Sequence, residues 1–106
     1  MEHVNNLQWK EKIAADENAV ILDVRTPVEW NDGIIPHAQQ IDVLSTHSFM
    51  EAARSLDKNK HYYVYCRSGM RSMNACQILG QLGIQKTYNL LGGIQKWDGE
   101  VVLPSQ

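Results

Sequence analysis

The chain has 106 residues, 43% of them hydrophobic, and a formal net charge of −2. That is enough apolar material for one packed domain over 1–106, and too much for a disordered chain. The weak negative charge leaves no basic field for nucleic acid, and no apolar run nears the roughly 20 residues that cross a bilayer.

The N-terminal run Met1-Glu2-His3-Val4-Asn5-Asn6 has no basic segment followed by an apolar one, so no secretory signal is expected. Leu7, Trp9, Ile13 and Ala14 have the spacing of a short amphipathic helix over 7–15. Ala19-Val20-Ile21-Leu22 is a continuous apolar run that ends at Asp23-Val24-Arg25. It reads as a buried strand of a parallel sheet. Thr26-Pro27 starts a helix, with an N-cap followed by proline at the first helical position. Asp32-Gly33 stops it early.

Gln40 to Val43 is a short strand candidate. Ser45 or Thr46 caps a helix through Phe49, Ala52, Ala53 and Leu56. His61 to Tyr65 is the next strand. Ser72 to Leu82 is a helix with Met73, Cys76, Leu79 and Leu82 along one stripe, stopped by Gly83. Lys86 to Leu91 is a strand, and Gly92-Gly93 turns into a last short helix with Ile94 and Trp97. Strands alternate with helices, which predicts an α/β fold with a mainly parallel central sheet and helices on both faces. Ligands bind such sheets beyond the carboxyl ends of the strands, where Cys66, Asp23 and Arg25 fall.

The run Cys66-Arg67-Ser68-Gly69-Met70-Arg71-Ser72 lies between a strand and a helix N-terminus. Backbone N–H groups point at the centre of such a loop, and the helix dipole adds about half a positive charge. Arg67 and Arg71 lie in the same loop. This setting is expected to lower a thiol pKa and hold an anion beside the sulfur. Cys66 and Cys76 make no disulfide framework, and no paired Cys or His spacing suggests zinc. Cys76 is expected about 4 residues into the helix, facing the core. The cytoplasm is the expected compartment.

Four segments together resemble the rhodanese family, over nearly the full length. They are Leu22-Asp23-Val24-Arg25-Thr26-Pro27-Val28-Glu29-Trp30, Gly33-Ile34-Ile35-Pro36-His37-Ala38, Tyr65-Cys66-Arg67-Ser68-Gly69-Met70-Arg71-Ser72 and Asn89-Leu90-Leu91-Gly92-Gly93-Ile94-Gln95-Lys96-Trp97. The second usually carries histidine where Ile34 stands and glycine where His37 stands. An effect on local turn geometry or surface is expected there, not a loss of chemistry. The run Asp98 to Pro104 also differs from the family's usual alanine-glycine-leucine-proline ending.

The resemblance implies a rhodanese-like fold and sulfur transfer through a Cys66 persulfide, with no cofactor and no metal. The donor is a small sulfur anion such as thiosulfate, or a protein persulfide. The acceptor is a thiol or cyanide, and the thiol can belong to a protein. Cys66 is the expected nucleophile. Arg67, Ser68, Gly69, Met70, Arg71 and Ser72 are the expected substrate-binding loop, its backbone N–H groups stabilising the anionic persulfide. Gly69 lets the loop curl.

Arg71 is expected to bind the donor at the pocket or its rim, the alternative being an exposed helix-start arginine. Arg67 either helps bind the donor or is solvated. Ser68 and Ser72 can donate hydroxyls to the sulfur, and Ser72 can instead cap the helix. The resemblance makes Asp23 and Arg25 mainly structural, an ion-paired or hydrogen-bonded frame around the loop, the alternative being a direct part in substrate binding. Cys76, Trp30 and Trp97 are read as packing residues. His3, His37, His47 and His61 lie on separate segments, none in the setting of a general base.

Two other functions compete. One is a persulfide carrier or docking module for a protein partner. The other is a cysteine-dependent phosphatase or arsenate reductase. Such phosphatases place five residues between cysteine and arginine, whereas here that arginine position is Ser72 and Arg71 comes one residue earlier. The shorter loop suits one sulfur atom better than a tetrahedral phosphate. A monomer is expected, without nucleic acid or membrane partners.

Overall fold

A computed structural model describes residues 1–104. Five strands form one sheet: β1 (Glu2–Val4), β2 (Ala19–Asp23), β3 (Gln39–Gln40), β4 (His61–Tyr65) and β5 (Thr87–Leu90). Their spatial order is β1-β5-β4-β2-β3, and all four pairings are parallel. The helices are α1 (Asn6–Ala14), α2 (Pro27–Trp30), α3 (Thr46–Arg54) and α4 (Met70–Gln81), with a closing 3-10 turn at Ile94–Lys96. No helix among the described residues is long and apolar enough to cross a membrane.

Side chains alternate across a strand, so β4 serves two cores. Tyr62 and Val64 join a core with Phe49 and Ala53 of α3 and Ala75, Cys76 and Leu79 of α4. Tyr63 and Tyr65 face the other side, with Val4, Trp9 of α1, Ile35 and Leu90. There Trp9 meets Tyr63, Tyr65 and Trp97 edge-on, at centroid distances of 5.6, 6.2 and 6.3 Å. Both faces are therefore covered, as the alternation of elements predicts. Cys66 follows Val64 on the first face and emerges at the N-terminus of α4.

Several boundaries differ from the sequence reading. The edge strand β1 was not predicted; it is three residues long and only Val4 is buried, so it carries almost no hydrophobic pattern. Beside β2, only Gln39–Gln40 is strand. Ile41 and Val43 donate to the carbonyls of Asp23 and Val24 as the chain passes the end of β2. Leu56 lies outside α3. The α4 helix begins at Met70 rather than Ser72, after Gly69 in a left-handed conformation with φ 109°. Ser72 is therefore inside the first turn and not a cap, and Cys76 sits deeper in the helix than expected.

The capping predicted for α2 is present: Thr26 and Glu29 bond each other's backbone in a reciprocal box, with Pro27 at the first position. Beyond the strands, Ile34 and Val102 form an antiparallel bridge with hydrogen bonds of 2.8 and 2.9 Å. This tucks the segment after Trp97 against the second signature. Ile34 is buried there, which suits an apolar residue in place of histidine.

Candidate active site

Three strand ends converge on Cys66. It is the first residue after β4, and its side chain is buried. The N-cap of α4 is Gly69, which has no side chain to satisfy the free N–H groups of the first turn. The Cys66 sulfur fills that place. Gly69 N–H donates to Sγ at 3.1 Å, and the Ser72 hydroxyl lies 3.4 Å away. Burial alone pushes the Cys66 thiol up. The Ser72 hydroxyl and the N–H groups of Ser72, Gly69 and Ser68 outweigh it, so the thiol lies below its ordinary value. Cys66 thus lies at a helix N-terminus with its thiol lowered, the local setting that the sequence predicts.

Ser72 is buried and also donates to Asn89 Oδ1 of β5. Asn89 in turn donates through Nδ2 to the Gly69 carbonyl at 3.3 Å. Ser68 differs from expectation: its side chain is exposed, and its contribution to the sulfur comes from the backbone N–H. Met70 is 69% exposed at the rim.

Arg71 is neither a solvated helix-start arginine nor a free anion binder. Its two Nη atoms donate to the two Glu29 oxygens at 2.7 and 2.8 Å. The guanidinium holds the Glu29 carboxyl down to about 2, below the usual range. Arg67 is exposed and lines a cleft of about 340 Å³ with Arg25, Glu29, Asp32, Ile94 and Gln95.

Asp23 and Arg25 form the frame that the sequence reading proposed. Arg25 Nη2 lies 2.6 Å from Asp23 Oδ2 and 2.7 Å from the Gly33 carbonyl oxygen. Both residues are nearly fully buried. Burial disfavours the Arg25 charge, but Asp23 more than restores it. The frame is wider than predicted, because the Tyr65 hydroxyl donates to Asp23 Oδ2 at 2.6 Å and accepts the Ile35 N–H at 2.9 Å. One tyrosine thus ties the end of β4 to both β2 and the second signature.

The Gly92-Gly93 turn is the other support that sequence reasoning missed. Gly93 has φ 59°, and a Cβ there would lie 2.6 Å from the Cys66 carbonyl oxygen. This close approach lets Ile94 N–H and Gln95 N–H donate to the carbonyls of Cys66 and Arg67, at 2.9 and 3.0 Å. Adjacent glycines at a strand end were the available signal. Cys76 packs in the core as expected, and burial pushes its thiol up to about 12.

Residues 6–100 match the family described as Rhodanese-like domain. The chain is 43% identical over 100 residues to "Putative sulfurtransferase YtwF" of Bacillus subtilis (strain 168), covering 94% of this chain and 93% of that protein. It is 33% identical over 97 residues to a protein of Allochromatium vinosum named Sulfurtransferase, covering 92% and 88%. Among solved structures it resembles a rhodanese-like domain protein from Staphylococcus aureus, with TM-score 0.84, 30% identity, and 99% and 100% of the two chains covered. Sequence relatives and architecture agree over nearly the whole length, and the chain belongs to the rhodanese-like domain family.

Proposed function

We propose that this protein is a sulfurtransferase that carries a sulfane sulfur on Cys66 as a persulfide. The observation that carries this reading is the sulfur at the N-terminus of α4, facing the N–H groups of Ser68, Gly69 and Ser72 with its thiol lowered. The sulfurtransferase names of full-length relatives support the same chemistry.

The Cys66 thiolate attacks the outer sulfur of a donor, either thiosulfate or an organic persulfide. An S–S bond forms at Cys66, the donor's S–S bond breaks, and the bond's electron pair leaves with sulfite or a thiolate. An acceptor thiolate or cyanide then attacks the outer sulfur and releases the Cys66 thiolate. The covalent intermediate splits the transfer into two displacements. The ring of N–H groups offers the terminal sulfur anion the same stabilisation it gives the thiolate. With its thiol lowered, Cys66 attacks as the thiolate, and no side chain is assigned the part of a general base.

Intact-protein mass spectrometry tests this. Wild type incubated with a sulfane donor is expected to gain one sulfur, lost again on addition of cyanide, while Cys66→Ala gains none. A folded wild type with an alkylatable Cys66 that gains no sulfur from either donor class overturns the reading.

A further inference from the structure

The loop contains two arginines and the adjacent strand end a third, yet two of the three are committed to carboxylates. Arg25 is bound to buried Asp23. Arg71 is bound fork to fork by Glu29, which is itself fixed: its Oε1 accepts the Thr26 N–H at 3.2 Å and the Thr26 hydroxyl at 3.0 Å. Glu29 is thus anchored at the start of α2, and Arg71 is anchored in the first turn of α4. Only Arg67 remains, and the cleft it lines also contains Asp32. The pairs Asp23–Arg25 and Glu29–Arg71 each sum to zero charge. Of these three arginines, only Arg67 is left without a carboxylate bonded to it to meet a dianion that must approach a thiolate.

The rim has a different character. A Cβ at Gly69 would lie 3.5 Å from the Leu90 carbonyl oxygen and 3.7 Å from the Gly92 nitrogen, so the loop packs against the turn after β5. Met70 and Leu91 flank that contact and are 69% and 49% exposed. An apolar rim suits the organic part of a donor better than a hydrated sulfonate.

We propose that Glu29 is a specificity-determining residue which, by holding Arg71, turns this site away from oxyanion donors such as thiosulfate and toward organic persulfides. The inference rests on the reading of Cys66 as the sulfur carrier. Thiosulfate brings two negative charges to the thiolate, and in Arg71 its oxygens meet a guanidinium whose charge Glu29 already neutralises. An organic persulfide R–S–S⁻ brings one charge. The Cys66 thiolate bonds to its outer sulfur, the donor's S–S bond breaks, and R–S⁻ leaves with the electron pair. Charge and sulfur count balance with no added oxidant or reductant. Glu29 touches no reacting atom; it acts through Arg71.

The test is single-turnover sulfur loading of Cys66, followed by intact mass, with thiosulfate, cysteine persulfide and a persulfidated decapeptide as donors. Intrinsic donor reactivity cancels when the persulfide-to-thiosulfate rate ratio is compared between variants. Glu29→Gln is expected to lower that ratio roughly tenfold, by freeing one cation beside a dianion, and to make the thiosulfate rate fall more steeply with salt. Glu29→Asp, which keeps the charge, is expected to return the ratio toward wild type. A merely structural role for Glu29 would slow all donors alike and leave the ratio and the salt slope unmoved, which overturns the proposal. The faster of the two persulfides distinguishes a small-molecule from a protein source. No sulfur on wild type from any donor defeats the Cys66 reading itself, and this inference with it.

Discussion

The Ser72 hydroxyl stands 3.4 Å from Cys66 Sγ and 2.5 Å from Asn89 Oδ1, within reach of both acceptors. A hydroxyl has one hydrogen, so the thiolate and Asn89 compete for it. The amide cannot turn to relieve the conflict without losing its bond to the Gly69 carbonyl. Two variants should therefore move Cys66 in opposite directions. Ser72→Ala removes the hydroxyl and is expected to raise the pH at which Cys66 becomes alkylatable. Asn89→Ala releases the hydrogen to the sulfur and is expected to lower it. Iodoacetamide rates across pH, with the labelled residue identified by peptide mass, measure both. Cys76, pushed to about 12, should stay unlabelled in the folded protein near neutral pH. Shifts of the same sign in both variants contradict the competition.

Tyr65→Phe is expected to destabilise the fold by about 1–3 kcal/mol, because it leaves the buried Ile35 N–H without an acceptor. Asp23 keeps Arg25, so its charge stays paired. Denaturant unfolding measures the loss. A variant as stable as wild type shows that the tyrosine hydroxyl contributes nothing net.

The Glu29–Arg71 pair makes stability depend on pH. The folded carboxyl lies near 2 and its ordinary value is 4.5, so the folded state prefers the ionised form. Its contribution is fully present above about pH 4.5 and is lost as pH falls toward 2. The pair is a quarter exposed, so the expected stability gap between wild type and Glu29→Gln is only about 1–2 kcal/mol at neutral pH. That gap should close as pH falls from about 4.5 toward 2. A gap independent of pH assigns the effect to packing instead of charge.

His37 has φ 70°, the one non-glycine residue with positive φ among those described. It follows Pro36 in a turn closed by the Ala38 N–H on the Ile35 carbonyl, at 3.2 Å. Proline followed by a left-handed residue is the pattern of a type II turn, whose third position favours glycine. His37 is exposed and loses little packing if truncated. His37→Gly is expected to stabilise the protein by up to about 1 kcal/mol, relief of strain exceeding the added chain entropy. Thermal unfolding checks the sign; a lower Tm would mean that the imidazole makes a contact of its own.

Much of this was legible in the chain. The strand over His61–Tyr65 lies where the aromatic and β-branched run put it, because a buried central strand needs side chains that pack on both faces. The cradle at Cys66 follows from a glycine placed before a helix. Less legible were the partners. Glu29 and Arg71 are 42 residues apart, and Ser72 and Asn89 are 17 apart. Each pair forms only because parallel strands deliver their following segments to the same sheet edge. Local pattern carries no record of that meeting. The start of α4 was misjudged for a related reason: its cap is a sulfur from three residues before Gly69, not a side chain at the cap position.

The two hydrogen bonds from Ile94 and Gln95 to the Cys66 and Arg67 carbonyls have a consequence for anyone who wishes to borrow this chemistry. The segment from Cys66 to Ser72 is not a portable cassette. Grafted alone onto another α/β scaffold, it would arrive without the carbonyl anchors that set its curvature. A working transplant has to carry the glycine pair and the end of β5 along with it. The smallest transferable unit is two loops from neighbouring strands, held at one fixed separation.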